Sequence, residues 1–541
     1  MRRFAQLYEA LDMTTSTNEK VAHLVRYFEE APAGDSAWVI YLFSGRRLRR
    51  PVKTRLLREW TYEEGEIKEW LFDECYQRVG DLAETIALVL DRKVRSGERD
   101  GLEVGLSAWV ERLKALRGKK EEVQREALLA YWRSLDRQGI FLLNKLAMGA
   151  MRVGVSKGLI TRALAEFSGL KKATVAHRLM GDWTPSGEFF EALIDPDNSD
   201  ALASRPYPFF LANPLEESPE KALGKREDWF AEWKWDGIRG QLIRRGSEVF
   251  LWSRGQELIT KSYPEIAAVA QELPEGTVLD GEIMAWDETG PLPFGELQRR
   301  IGRKRVPAKL QREVPVQFIA YDLLEWEGRD LREKSFQSRR EKLEALLDGG
   351  LFALSQEVVA PTWEALLEER ETSRERKVEG LMLKGRQSTY GTGRQKGDWW
   401  KWKVDPYTLD AILLYGQAGH GRRAGLHTDY TFGIWKGEDL VPIAKAYSGL
   451  SNEEIRELDQ WIKKNTVERF GPVRSVKAHH VFELAFAGLQ RSSRHKSGVA
   501  LRFPRILRWR RDKSIDGANT LEDVEALLKA YEGEHYEVPE T

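Results

Sequence analysis

Apolar residues recur three and four positions apart through the first part of the chain, at 24–31, 81–90, 127–135 and 159–169. That spacing keeps one face of a helix against a core. Ser156 stands where a helix cap belongs and Gly169 where a helix stops. Few alternating runs interrupt this pattern, so residues 1–204 are expected to form an all-α domain. The texture changes after 201–220, where four prolines and little periodicity mark a junction. Short alternating runs follow at 229–238, 239–245, 248–254, 277–286, 316–324 and 380–385, with helical stretches at 262–273 and 338–347. Strands mixed with helices in this order predict an α+β domain built on antiparallel sheets over 205–405. A third change falls at Asp405-Pro406. Runs at 410–416, 430–435, 440–447 and 479–486 read as strands, and one helix at 452–465 begins with a Ser451/Glu454 capping box. A small set of strands with one helix predicts a β-barrel of the oligonucleotide-binding (OB) type over 406–541.

Composition sharpens this multidomain picture. A chain of 541 residues exceeds one hydrophobic core, and 42% hydrophobic with 31% charged residues is the make-up of a folded protein. Lysine plus arginine equals aspartate plus glutamate at 85 each, so nucleic-acid binding would have to come from local patches. The single cysteine, Cys75, excludes an intramolecular disulfide framework and a cysteine-cluster zinc site, and favours a reducing compartment. No stretch approaches the roughly 18 uninterrupted apolar residues of a membrane span, so no membrane is expected and a cytoplasmic location is.

Candidate chemistry begins at Glu232-Trp-Lys234-Trp-Asp236-Gly237. Alone, this is as compatible with a surface lysine beside a turn as with a nucleophile. An ordered series follows it: Ser253-Arg254-Gly255, Leu279-Asp280-Gly281-Glu282, Phe318-Ile-Ala-Tyr321-Asp322, Val378-Glu379-Gly380-Leu-Met-Leu-Lys384, Trp400-Lys401-Trp-Lys403, Arg502-Phe-Pro-Arg505 and Arg510-Arg-Asp512-Lys513. Together these resemble the motif series of the covalent nucleotidyltransferases, specifically the three-domain ATP-dependent DNA ligases of bacterial and archaeal type, and the resemblance spans nearly the whole chain.

The resemblance implies that Lys234 takes AMP from ATP and passes it to the 5′-phosphate of a nick. It implies that Glu232 meets the adenine edge, that Tyr321 stacks on the base, and that Arg239 and Arg254 bind ribose, phosphates or the nick's 5′-phosphate. Lys401 and Lys403, with Lys384 assisting, are implied to hold the phosphates. Glu282 and Glu379 are assigned to a metal, with their individual roles in placing ribose and phosphate open. The resemblance also implies a phosphate-binding arginine in Gly391-Thr-Gly-Arg394-Gln-Lys-Gly397, where Arg394 lies about one position further from Lys401 than the family spacing. The resemblance implies that Arg510, Asp512 and Lys513 serve the first chemical step from the barrel domain. Asp236 and Asp280 are as readily turn residues as ligands. ATP and Mg2+, with Mn2+ as a substitute, are the implied cofactors.

The residue types suit that chemistry. A lysine attacks phosphorus only as the neutral amine, which neighbouring cations or desolvation favour. Lys401 and Lys403 alternate on one strand and so share a face, and glutamates are the hard oxygen donors magnesium takes.

Three basic patches are candidates for duplex backbone. Seven basic residues and no acid lie between 46 and 58, among them Arg46, Arg47, Arg49 and Arg50. A turn around Arg152 and Gly154 precedes a helix start, where amides can meet phosphates. Arg299 and Arg300 belong to a run ending at Arg305, and Arg505 joins them from the last domain. The expected partner is nicked double-stranded DNA gripped by a monomer, in the nucleoid. An RNA ligase or a capping-type nucleotidyltransferase is the nearest alternative. The long helical region and Arg502-Phe-Pro-Arg505 argue against it. The lone cysteine argues against the NAD-dependent enzymes, which carry a four-cysteine zinc module, and the intact lysines and glutamates argue against a scaffold without catalysis.

Overall fold

The computed structural model describes the chain apart from residues 92–99, 150, 152, 182, 198–203, 304, 420–424, 472 and 533–541. The chain divides into two compact units, one of 1–160, 185–188 and 406–541, the other of 161–184 and 189–405.

The N-terminal part of the first unit is helical, from Arg2–Met13 to Arg137–Met148. The first and last of these helices turn an apolar stripe inward, Phe4, Leu7 and Leu11 in one and Leu142, Leu143 and Leu146 in the other. The basic stretch 46–53 is loop, between helices Ala33–Phe43 and Thr54–Glu64. Ser156 accepts from the Leu159 amide at the start of Lys157–Ser168, and that helix ends at Gly169 with φ +71°.

The second unit is built on two sheets. We number its main strands β1 (Trp229–Trp233), β2 (Ile238–Arg245), β3 (Glu248–Ser253), β4 (Thr277–Asp287), β5 (Val316–Trp326), β6 (Gly380–Gly385) and β7 (Trp399–Lys403). One sheet runs β5-β4-β2-β3, all antiparallel, with Ala353–Leu354 parallel at the β5 edge. The other runs β7-β6-β1, with Asn213–Pro214 beside β7. Successive side chains of a strand point to opposite faces, and both sheets use both faces. Leu242, Leu279, Ile283 and Phe318 face a core closed by helices around Ile266 and Leu343. Ala231, Leu381, Leu383 and Trp402 face another beneath Trp363 and Leu366. The remaining faces meet through Ile243, Val278 and Leu324 of the first sheet and Trp399 and Met382 of the second. That apolar floor closes one end of a cleft between the sheets.

The C-terminal part of the first unit is a curled sheet of β8 (Tyr407–Ala418), β9 (His427–Lys436), β10 (Asp439–Ala446), β11 (Thr466–Phe470), β12 (Val473–Val476), β13 (Val481–Phe486) and β14 (Arg505–Arg510). Strand β8 pairs with β9, β12 and β13, and β13 with β14. Helix Asn452–Lys464 carries both hydrogen bonds of the Ser451/Glu454 capping box and buries Leu458 and Ile462 against Phe432 and Phe482.

One buried ion pair ties helix Phe336–Leu347 to the first sheet of the second unit. The Arg339 guanidinium donates to both Asp322 oxygens, Nε at 2.8 Å and Nη2 at 2.9 Å, and Nη1 donates to the Lys334 carbonyl at 2.6 Å. Both side chains are fully buried. Removing one partner strands the other charge, so Arg339→Met is expected to lower this unit's stability by about 3–5 kcal/mol. Adding Asp322→Asn should recover part of that loss; urea denaturation of the single and double variants reads both.

Candidate active site

Register alone assembles one wall of the cleft. Across β7, β6 and β1 the paired rows are Lys401, Met382 and Glu232, and then Trp399, Lys384 and Phe230. One row further, Lys403 pairs with Gly380, and the chain leaving β1 adds Lys234, whose amide donates to the Gly380 carbonyl at 2.8 Å. The Glu379 amide returns a bond to the Lys234 carbonyl at 2.9 Å. Residues opposite or two apart share a face, so Lys234, Lys403, Lys401, Glu232 and Lys384 all line the cleft. Gly380, at φ +128°, makes this possible: a Cβ there would collide with the Trp402 carbonyl.

The facing wall comes from β2, β4 and β5. Arg239 pairs with Glu282, and Gln241 with Asp280, on the face opposite Leu242 and Leu279. Gly281 is a mid-strand position and not a turn, paired with Gly240 on one side and Ala320 on the other, and a Cβ there would strike the Ile319 carbonyl of the neighbouring strand. The β4–β5 ladder slips there: Asp280 pairs with Asp322 and Gly281 with Ala320, which leaves Tyr321 as the bulged residue. The bulge puts Tyr321 beside the cleft, with the Arg239 guanidinium 5.7 Å and the Lys384 ammonium 4.5 Å from its ring centre.

Charges in the cleft are arranged in two groups. At the open end Glu379 pairs with Lys234, and with Lys403 at 3.0 Å. Burial pushes the Glu379 carboxyl up, but the two lysines outweigh it and hold it at about 2. Glu282 goes the other way. Burial raises it to about 8 despite Lys234 and Arg239, with Asp236 and Glu379 adding repulsion. Lys401 is lowered by partial burial and by Lys403, Arg394 and Lys234.

Deeper in, Lys384 pairs with Glu232 at 2.6 Å and both are almost wholly buried. Burial lowers Lys384, with Glu232 opposing. Glu232 Oε2 is buried without a partner. Beside them Arg239 is clamped by Asp280, Nε at 3.1 Å and Nη2 at 2.6 Å, and donates to the Phe210 carbonyl at 2.7 Å. The Tyr390 hydroxyl donates to Asp280 at 2.6 Å.

The candidate residues therefore separate by place. Lys234, Glu282, Glu379, Lys401 and Lys403 come together at the open end, and Glu232, Lys384, Arg239 and Tyr321 in the interior. Lys384 stands against Glu232 rather than among the other lysines. Arg254 is exposed and touches the site through its amide, which bonds the Arg239 carbonyl at 2.9 Å. Arg394 is exposed on a two-residue bridge beside Phe210–Leu211 and acts on Lys401 through charge. In the C-terminal domain Arg510, Asp512 and Lys513 form one ion network. One participant had no sequence signal, and another had a motif position but no assigned role. Tyr390 lies outside every motif, and Asp280 shows its role only through the arginine it holds.

The basic patches fare differently. Arg47, Arg49 and Arg50 are exposed on their loop, and Arg46 lies partly buried with its guanidinium 5.7 Å from the Tyr41 ring centre. This loop adjoins the turn before Lys157, where Arg46 helps burial lower Lys157 to about 8. Gly154, at φ +65°, is held by the buried Lys20 ammonium, which donates to the carbonyls of Val153 at 3.0 Å and Gly154 at 3.1 Å. Arg152 lies outside the described residues. Arg505 is exposed at the start of β14. Arg299 is half-exposed but engaged by Glu296 and Glu313. Arg300 must be corrected: its side chain is fully buried, paired with Glu265 and bonded to the carbonyls of Val314 at 2.9 Å and Ser262 at 3.0 Å. It holds the domain together and has no surface to offer a phosphate.

Three family models match the chain in order: DNA ligase N terminus at 1–165, ATP dependent DNA ligase domain at 209–403, and ATP dependent DNA ligase C terminal region at 423–513. A probable DNA ligase of Koribacter versatilis is 32% identical, over 98% of this chain and 97% of its own. A DNA ligase of Natronomonas pharaonis is 30% identical, over 80% of this chain and 79% of its own. The solved structure Pmar-Lig_Pre shares the fold at a TM-score of 0.62 and 16% identity, covering 94% of this chain and 99% of its own.

The two kinds of arginine should respond oppositely to mutation. Arg300→Met is expected to destabilise the protein while leaving the salt dependence of duplex binding unchanged. Replacing Arg47, Arg49 and Arg50 with alanine should leave stability intact and flatten the plot of log affinity against log salt by about 0.9 for each phosphate that is no longer neutralised. Fluorescence anisotropy across a salt series, with a thermal melt of each variant, distinguishes the two.

Proposed function

The chain belongs to the ATP-dependent DNA ligase family and is a DNA ligase that uses ATP, and we propose that it seals 5′-phosphate/3′-hydroxyl nicks in duplex DNA through a lysine–AMP intermediate on Lys234. The observation that carries this reading is the sheet register that brings Lys234, Glu379 and Lys403 together above a buried carboxylate, Glu232, with an unpartnered oxygen.

In the first step the Lys234 amine attacks the α-phosphorus, a P–N bond forms and pyrophosphate leaves. In the second, a 5′-phosphate oxygen of the nick takes the AMP and frees the lysine. In the third, the 3′-hydroxyl attacks that phosphate and AMP departs. Lys401 and Lys403 offset charge on the transferring phosphoryl group. Glu232 reads the base: its free oxygen can accept the exocyclic amine of adenine, whereas it would repel the carbonyl oxygen of guanine. Tyr321 and Arg239, fixed by Asp280 and Tyr390, form the flank of the base and ribose.

Glu282 and Glu379 fit a magnesium ion. Burial has pushed Glu282 up to about 8, the condition of a carboxylate short of positive charge. Among the described residues no group of three or more acids, histidines or cysteines could hold a metal alone. Two carboxylates completed by substrate phosphates are magnesium's ordinary donor set, and manganese accepts the same oxygens. When bound, the ion supplies charge neutralisation at the phosphates. Lys234 is an ammonium while Glu379 pairs with it, and it attacks as the neutral amine once that pair opens and its proton passes to water.

Arg510, Asp512 and Lys513 serve step 1 by meeting the triphosphate when their domain closes over the cleft. The exposed arginines 47, 49 and 50, with Gly154 and Arg505, take duplex backbone, so recognition is sequence-independent. The enzyme works as a monomer on cytoplasmic, nucleoid DNA, in repair or replication. Among the described residues no helix is long and apolar enough to cross a membrane.

Lys234→Ala is expected to abolish labelling by α-labelled ATP; persistent labelling would place the nucleophile elsewhere. The wild type should be labelled by ATP and not by GTP or NAD, and should seal nicked DNA in preference to nicked RNA. Labelling by GTP, or preference for nicked RNA, would favour the capping or RNA-ligase alternative. Glu232→Gln should narrow the preference for ATP over GTP, measured as the ratio of kcat/KM for adenylation.

A further inference from the structure

Asp410 lies on β8, buried in the C-terminal domain, and belongs to none of the sequence motifs. Its Oδ2 accepts from Lys513 Nζ at 2.7 Å and from Arg510 Nη1 at 3.1 Å. Its other carboxylate oxygen is buried without a partner. The backbone is fixed as firmly: the Asp410 amide donates to Asn519 Oδ1 at 2.7 Å, and the Asn519 amide donates to the Asp410 carbonyl at 2.9 Å. Asp512 grips the other edge of Arg510, accepting Nε at 3.0 Å and Nη2 at 2.8 Å. One oxygen on a rigid strand thus joins the two cations of the 510–513 motif.

We propose that Asp410 is a positioning residue for enzyme adenylation, holding Arg510 and Lys513 in one preoriented arrangement. The proposal rests on the reading of 510–513 as the step-1 motif. Lysine is a point charge on a flexible stem and arginine a planar fork, and each has many rotamers when free. Two such groups that must meet a triphosphate together lose less freedom at that moment if a fixed carboxylate has already oriented them. Asp410 can do this without touching the nucleotide, because it takes only Nη1 of Arg510, the Nε and Nη2 edge rests on the exposed Asp512 that a phosphate would displace, and Lys513 is partly exposed. An ion pair that served only the fold would have no reason to influence one chemical step and spare another.

Full-length wild type, Asp410→Asn, Asp410→Glu, Arg510→Ala and Lys513→Ala are compared in two assays. One is single-turnover labelling of Lys234 over a range of ATP concentrations, and the other is sealing of a chemically pre-adenylylated nick, which bypasses ATP. Asp410→Asn is expected to lower the maximal labelling rate by about tenfold to a hundredfold, with pre-adenylylated sealing unchanged and Asp410→Glu restoring part of the rate. Equal slowing of labelling and sealing would make Asp410 a support of the domain and overturn the proposal. So would wild-type labelling by Asp410→Asn while Arg510→Ala and Lys513→Ala label slowly. If those two alanine variants label normally, the step-1 reading of the motif itself falls, and the proposal with it.

Discussion

Two backbone hydrogen bonds fix the chemistry of this protein: the Lys234 amide to the Gly380 carbonyl, and the Glu379 amide to the Lys234 carbonyl. They lock the end of β1 to the start of β6, and so decide which side chains stand beside the lysine. Shifting β1 by one residue along β6 would turn Glu232 into the apolar core beneath Trp363 and away from Lys384 and Lys401. The register is defended from both sides, since Ala231, Leu381, Leu383 and Trp402 need the opposite face for themselves. Gly380 is the local condition, because no side chain fits between β6 and the Trp402 carbonyl.

Within that frame, electrostatics divides the cleft into an open end and an interior. Glu379 and Glu282 share the open end, yet one is held far below the usual carboxylate range by two lysines and the other is driven far above it by burial. The interior has satisfied most of its charges internally, Arg239 with Asp280 and Tyr390, and Lys384 with Glu232. The exception is the free oxygen of Glu232, the interior acceptor with a bond left to give.

A balanced net charge conceals an uneven surface. Arginines 47, 49 and 50 project from a loop, and the turn at Gly154 lies close enough for Arg46 and Lys157 to repel each other. Residues about a hundred positions apart thereby join one basic surface. The run from 299 to 305 shows the opposite case, because its members look alike in sequence and differ in structure. Arg299 is half-exposed between two glutamates and Arg300 is sealed in the core. A charge run says how many cations are present; burial and neighbouring acids decide which of them a phosphate can reach.

Sequence by itself determined the order and class of the domains, because helical and strand periodicities are local and survive without tertiary context. Ser156 and the Ser451/Glu454 box were legible for the same reason: a cap acts within one turn. It also set out the motif lysines and glutamates, whose residue types carry their chemistry with them. Only the tertiary structure decided how those residues combine. The slip that makes Tyr321 a bulge, the close approach at Gly281, the hold of Asp280 and Tyr390 on Arg239, and the bond from Asp410 to Lys513 all join residues far apart in the chain. Each depends on strand register and burial, which are set by the packing of whole sheets, and no local pattern around any one of these residues encodes them.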